Sequence, residues 1–434
     1  MTHGSRVKVP VLARVEGEGG LEIITDDGTV TEARLDIYEP PRFFEAMLRG
    51  RQYTEPPDIT ARICGICPIA YQMSACAAIE DACGVTATQP IKDLRRLIYC
   101  GEWIESHALH IYLLHAPDFL GYESGIHLAR DHPDLVQRGL RIKRAGNQLM
   151  TVIGGRSVHP VNVRVGGFYR APASADLRNL TGELEWARQA AEETVRWVAA
   201  FTFPDFFRDY EFVSLRQPAG YPITEGHVVS SSGLDITPAG YDEHFTEFQV
   251  PHSTALHSVL DGSRTYLTGP MARYSLNHDR LPPDIARLAR EAGLGNSCHN
   301  PFRSIVVRAV ELLYACDEAL RLIAGSQPPD PPAVQVQATE ATGYGCTEAP
   351  RGLLYHRYRI RADGTIEDAK IVPPTAQNQR AIEADLRDFA APRLHLPVHQ
   401  LTHECEQAVR SYDPCISCAT HFLDLRVSPR RVPA

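Results

Sequence analysis

The sequence predicts a helix-rich α+β architecture, with a buried central helical bundle and small sheets at its periphery, in one large domain. Three observations predict it. Residues 94–116, 134–153, 175–201 and 300–325 carry apolar side chains at helical spacing over lengths no ordinary strand reaches. Strand-like alternation is confined to short runs with turns, at residues 7–38 and around Ala362-Asp363-Gly364-Thr365. The 434 residues are 44% hydrophobic and 22% charged, an ordinary globular balance that supports a large core.

Taken in order, residues 7–38 read as a hairpin or small sheet with Asp26-Asp27-Gly28 as a turn. Within them, Arg14-Val15-Glu16-Gly17-Glu18-Gly19-Gly20 is glycine-rich, but its spacing fits neither dinucleotide nor P-loop signatures and no lysine follows. Glu16 reads equally well as a solvated strand-end carboxylate. Residues 43–49 form a short helix with Glu45, and Pro68 after Cys67 starts a longer one on which Cys76 and Cys83 pack as small hydrophobes. The helix at 94–116 stops before Pro117; its His107, His110 and His115, with Asp118, suggest a polar lining.

Further along, Gly154-Gly155 closes the helix at 134–153, and residues 205–300 mix short strands and turns without readable chemistry. Asn300-Pro301 opens the next helix, Gly325 stops it, and Cys316 lies on its apolar side. Gln327-Pro328-Pro329-Asp330-Pro331-Pro332 is a linker or a stiff loop, and residues 373–379 read as an irregular polar loop.

The net charge of −9 argues against nucleic acid or anionic membrane as the main partner. No signal-peptide run and no uncharged apolar run of about 18 residues is visible, so no transmembrane segment is expected. Eleven cysteines, an odd number, suit a reducing compartment with metal-binding thiols better than a disulfide framework.

Two CxxC pairs stand far apart, Cys64-Gly65-Ile66-Cys67 and Asp413-Pro414-Cys415-Ile416-Ser417-Cys418, the second followed by Ala419-Thr420-His421. With Asp413 capping a helix and Pro414 in its first position, Cys415 and Cys418 project from one face. Four thiolates around one metal are usually zinc, and a structural zinc knot stays open on spacing alone. Soft thiolates also suit nickel and iron.

These motifs resemble the large subunit of [NiFe] hydrogenases. The similarity runs along nearly the whole chain, through Arg14-Val15-Glu16-Gly17, Glu45 ahead of an Arg-Gly-Arg, His107 to Asp118, Gly154-Gly155-Arg156 with His159-Pro160, and Glu348-Ala349-Pro350-Arg351-Gly352. It implies that Cys64 and Cys415 are terminal nickel ligands, and that Cys67 and Cys418 bridge nickel to an iron carrying carbon monoxide and cyanide. Glu45 and His421 match a magnesium site. The resemblance further implies that Arg351 overhangs the metals with Asp118 and Asp413 nearby, that Pro350 lines the diatomic-ligand pocket, and that Glu16 is a proton-exit carboxylate. Where the family commonly has histidine, this chain has Tyr71, whose phenol can also donate to a bridging sulfur.

The implied reaction is heterolytic cleavage of H2, the first proton going to a terminal cysteine sulfur or to Arg351. The other seven cysteines show no cluster spacing. The resemblance therefore implies no iron–sulfur cluster in this chain, a separate iron–sulfur small subunit, and a diaphorase with flavin that exchanges electrons with NAD(P). The wording around Cys415 is most similar to the cytoplasmic, NAD(P)-linked branch, which includes sulfhydrogenases. Residues 1–421 then form the catalytic domain, and 422–434 an extension cut off by a maturation endopeptidase after other maturation proteins have built the centre. A hydrogenase-derived, metal-free quinone-reductase subunit is the rival within the fold; the four cysteines argue against it.

Overall fold

The computed structural model describes residues 5–420, so His421 and the extension expected at 422–434 lie outside the described residues. Strands β1 (Ser5–Val9), β2 (Gly19–Asp26) and β3 (Thr29–Ile37) form an antiparallel sheet in that order. Its second turn uses Asp27 and Gly28, both at positive φ, a geometry that matches strand twist.

Helix α1 (Pro68–Ala82) begins with proline directly after Cys67, where a missing N–H costs nothing. Four long helices make the bundle: α2 (Gln89–Leu109), α3 (Pro133–Gly154), α4 (Thr181–Ala199) and α5 (Ser304–Ala324). Helix α5 packs on α2 and α4, and α3 on both as well. Apolar on nearly every side, α5 buries Val306, Val307, Val310 and Leu312 completely, as a central helix must.

Between α4 and α5 lie two small sheets, β4 (Val213–Arg216) with β5 (His227–Ser230) and β6 (Asp235–Ile236), and β7 (Phe245–Phe248) with β8 (His257–Leu260). After the connector come β9 (Ala341–Ala349), β10 (Gly352–Ile360) and β11 (Ile366–Val372), then helices α6 (Pro374–Ala390) and α7 (Val398–Arg410). Among the described residues no helix is long and apolar enough to cross a membrane.

Four local expectations need correction. The helix expected to end before Pro117 continues to Leu120 through a π segment, His110–His115, which absorbs the clash of the proline ring with the preceding turn. The carbonyl of Leu114 is taken instead by the Arg14 guanidinium at 2.8 Å. The helix expected at 175–201 is broken near Asn179, where Leu180 N–H tightens onto Leu177 O. Residues 373–379, read as a loop, are the start of α6, because Pro374 fits a first helical position and Gln377, Asn378 and Gln379 turn inward. Gln377 donates to Leu353 O, and Asn378 pairs with both backbone groups of Thr268. Asp413 does not cap the last helix: it sits in the left-handed region at φ 52, and Cys415 is the residue before the helical turn Ile416–Ala419.

The position of α1, and with it Cys67, depends on contact with β9, a strand missing from the sequence reading. A Cβ on Gly345 would lie 2.6 Å from Ser74 O and 2.7 Å from Ala78 N, so only glycine lets helix and strand backbones meet. Gly345→Ala is expected to lower the thermal unfolding midpoint by the equivalent of about 1–3 kcal/mol. In the exposed, open position of Gly182, where nothing lies within 4 Å, alanine should change stability by under about 1 kcal/mol. Equal midpoints for the two variants would contradict this packing.

Candidate metal centre

The two CxxC loops meet in the interior. The Cys64 and Cys415 sulfurs are 3.5 Å apart, as are those of Cys67 and Cys418, and Cys415 and Cys418 approach to 2.7 Å. All four lie within 4.8 Å of one another, buried and not disulfide-bonded.

Each loop is held from outside its own motif. Arg42 spans both: one Nη donates to Ile63 O at 2.7 Å and to Ser417 O, while its backbone N–H donates to Thr420 O. Glu102 on α2 accepts from the N–H groups of Ile69 and Ala70, capping the helix that Cys67 precedes. Glu16 pairs with Cys415 in a short parallel bridge, and its Oε2 lies 3.0 Å from Cys415 Sγ and 3.1 Å from Ser417 N. Gly17, at φ 88, makes this possible, because a Cβ there would lie 2.7 Å from that of Ile416.

Arg351 also reaches the site. Its Nε donates to Asp413 O at 2.8 Å, and one Nη to Asp413 Oδ1 at 3.1 Å. The other Nη, fully buried, has no hydrogen-bond partner among the described residues. Behind Arg351, Arg273 grips the carbonyls of Ala349 and Pro350 and pairs with Glu311 and Glu348. Burial opposes charge on Glu311, yet Arg273 and His107 bring its carboxyl down to about 2. In Glu348 burial prevails over Arg273 and lifts the carboxyl to about 7.

The remaining expected residues sit farther out. Asp118 is clasped by Arg410, with two contacts of 2.8 Å, and by Arg14, rather than touching a thiol. Burial would raise its carboxyl, but the two guanidinium groups hold it below the usual range. The three buried histidines have separate neighbours, and each keeps a ring nitrogen without a hydrogen-bond partner among the described residues. His107 faces Glu311, His110 meets Arg410 O, and His115 meets Ser411. Glu45 accepts Ile371 N–H at 2.7 Å, and burial followed by the charge of Glu247 lifts its carboxyl to about 8. Tyr71 is buried with its hydroxyl in hydrogen-bond reach of Cys418. Arg42, Glu102, Arg273 and Glu311 escaped the sequence reading; their one signal was charge inside otherwise apolar helices or beside a motif.

The donor set fits a metal. Hydrogen bonds from Cys415, Cys418 and Cys67 hold Cys64 well below the usual thiol range, while burial and the other sulfurs push Cys415 well above it. One thiolate is easy and four are not, so full ionisation requires a multivalent cation among them. The unpartnered Nη of Arg351, whose guanidinium is held by Asp413, leaves a buried N–H hydrogen-bond donor that only a group outside the described residues can engage.

The comparisons agree with this geometry. The model of the nickel-dependent hydrogenase family matches residues 42–131 and 316–421. Sulfhydrogenase 1 subunit alpha of Pyrococcus furiosus is 33% identical over 431 residues, covering 96% of this chain and 98% of the relative. Sulfhydrogenase 2 subunit alpha of the same organism is 34% identical over 429 residues, covering 96% and 100%. An NAD+-reducing [NiFe]-hydrogenase solved in the H2-reduced state has 27% identity, a TM-score of 0.87, and coverage of 96% of this chain and 99% of that one.

Because Arg42 fastens both loops at once, Arg42→Gln is expected to weaken metal retention about 10- to 100-fold while leaving the circular dichroism spectrum unchanged. Metal remaining after graded dialysis against a chelator measures it. Retention equal to wild type would remove Arg42 from the support of the site.

Proposed function

The chain belongs to the nickel-dependent hydrogenases and is the catalytic large subunit of a [NiFe] hydrogenase; from that premise we propose which residues hold the metals, move the proton and meet the partners. The convergence of four buried thiols carries this reading. In this proposal the four thiols would hold a nickel–iron centre, Cys64 and Cys415 as terminal ligands of nickel and Cys67 and Cys418 shared with an iron that would carry carbon monoxide and cyanide. When bound, the centre supplies Lewis acidity for heterolytic cleavage of H2.

The chain's own groups handle charge and protons. Arg351, fixed by Asp413, offsets the thiolate charge. Pro350 lines the diatomic-ligand pocket and is kept in place by Arg273 on its carbonyl. Asp118 acts through Arg410, which anchors the chain just ahead of the second thiol pair. Glu16 Oε2 accepts the proton leaving Cys415 Sγ across 3.0 Å. Burial, and then the charge of Cys64, raise its carboxyl, so a proton arriving there is held rather than lost at once. Tyr71 donates to Cys418 in place of the histidine common in the family.

In the same proposal Glu45 and His421 would hold magnesium, the Glu45 carboxylate and waters supplying the hard oxygens that suit it. Electrons leave through an iron–sulfur small subunit and a flavin-containing diaphorase to NAD(P). The similarity to two sulfhydrogenase alpha subunits and to an NAD+-reducing hydrogenase supports this branch. A cytoplasmic location accords with eleven cysteines of which none forms a disulfide. Residues 422–434 are an extension removed by an endopeptidase after maturation proteins have loaded the centre.

Single Cys→Ser replacements at 64, 67, 415 and 418 are each expected to abolish H2-dependent dye reduction and to lower nickel content. The wild-type preparation should contain nickel with iron, and its intact mass should end at His421. Full activity in any one variant, or zinc as the bound metal of active enzyme, would overturn the assignment.

Glu16→Gln keeps size and hydrogen bonding but cannot titrate. Its metal content should match wild type while H2 oxidation and H/D exchange with solvent fall together, by about 100-fold or more. Para/ortho-hydrogen conversion, which needs cleavage without proton escape, should fall less. Exchange at the wild-type rate would mean that the proton leaves by another route.

A further inference from the structure

Away from the thiols, a second set of metal-ligating side chains converges from separate elements. His252 lies in the loop between β7 and β8, His257 opens β8, and Glu383 projects from α6. The His252 Nε2 is 2.7 Å from Glu383 Oε1, the His257 Nε2 is 3.9 Å from the same oxygen, and one ligand atom from each residue lies within 4.8 Å of the other two. The imidazole rings stand 81° apart, so they approach the shared space from different directions.

An ion pair between His252 and Glu383 accounts for part of this and leaves His257 unexplained. That residue is 2% exposed, and its Nε2 has no hydrogen-bond partner among the described residues. A buried ring nitrogen left bare is costly unless something outside the protein takes its lone pair. Burial lowers the affinity of this ring for protons, which leaves it neutral and able to ligate.

We propose that His252, His257 and Glu383 form a second metal site, separate from the thiol centre, for a divalent cation of the zinc class. Two imidazole nitrogens and one carboxylate make a borderline donor set that suits such ions and leaves a position for water. The mouth is there, because the side chains of His252 and Glu383 are 17% and 15% exposed. The donors are also held in advance. Leu35 N–H of β3 donates to Glu383 Oε1 at 3.0 Å, and Thr254 N–H ties the histidine loop to Ile37 O at 2.7 Å. Gln379, one turn before Glu383, donates to Leu256 O at 2.9 Å and accepts from Ser253 Oγ at 3.2 Å, which holds the histidine loop against α6. Two arginines face the cluster: Arg34 is engaged by Glu32 and Glu22, and Arg380 acts on His257. Bound metal would clamp the β7–β8 loop, α6 and the N-terminal sheet together.

The complete enzyme, with its thiol centre loaded, is dialysed against a chelator and titrated with zinc chloride. Bound zinc is counted by mass spectrometry and its neighbours identified by zinc-edge X-ray absorption. About one zinc per chain should be taken up, with nitrogen and oxygen neighbours only, and His257→Gln and Glu383→Gln should lose it. If the buried variant fails to fold, His252→Gln on the exposed side gives the same comparison. No uptake by wild type, sulfur neighbours around the zinc, or unchanged uptake in the variants would overturn the proposal.

Discussion

Four thiols within 4.8 Å of one another, sealed from water, set the condition on which the rest of this molecule depends. Thiolates repel, and burial adds to the cost of each charge. The two halves are also separated by 351 residues in sequence, so nothing local can bring them together. The fold answers both demands with guanidinium groups. Arg42 ties one loop to the other, Arg351 puts positive charge beside the sulfurs, and Arg410 fastens the chain just ahead of the second loop.

Those arginines need support of their own. A buried guanidinium is stabilising only if its donors are satisfied, and breaking such a pair is worse than never having made it. Arg273 shows the complete case: fully buried, it donates to two carboxylates and two carbonyls, with its guanidinium carbon 4.5 Å from the Trp103 ring centre. Through Ala349 and Pro350 it orients the turn that delivers Arg351. The bundle therefore contributes more than apolar burial, since α2 supplies Glu102 and Trp103 and α5 supplies Glu311 to the frame of the site.

How much of this could be read from the sequence follows from how local each feature is. The cysteines and the proline after Cys67 belong to short motifs whose spacing marks a metal site, while the identity of the metal and the role of Glu16 came from the family resemblance. The long helices announced themselves by period and by their Gly and Pro boundaries. Arg42, Glu102 and Arg273 act on backbone far away in sequence, and a charged residue at such a position looks like any solvated one until the tertiary contact is known. Residues 373–379 misled for a related reason: amide side chains that usually mark a loop are here buried and satisfied by the backbone of Leu353 and Thr268. The strand β9 was hidden by Gly343 and Gly345, which weaken a strand pattern but are required where α1 lies against the backbone.

The position of Glu16 follows from the same electrostatics. A carboxylate inside the bundle beside the thiols would add one more buried negative charge to a site already short of counter-charge. On the loop between β1 and β2 it is presented from the edge, with backbone hydrogen bonding through Ile416 N–H to hold it and Ser417 N–H to steady its charge. Its partial burial raises its proton affinity without isolating it, which an interior carboxylate such as Glu102, fully enclosed and committed to two backbone donors, cannot match. The small N-terminal sheet is thus the scaffold of the one carboxylate among the described residues that touches a motif thiol and still borders the outside, and this gives the peripheral strands a reason to be attached to a helical core.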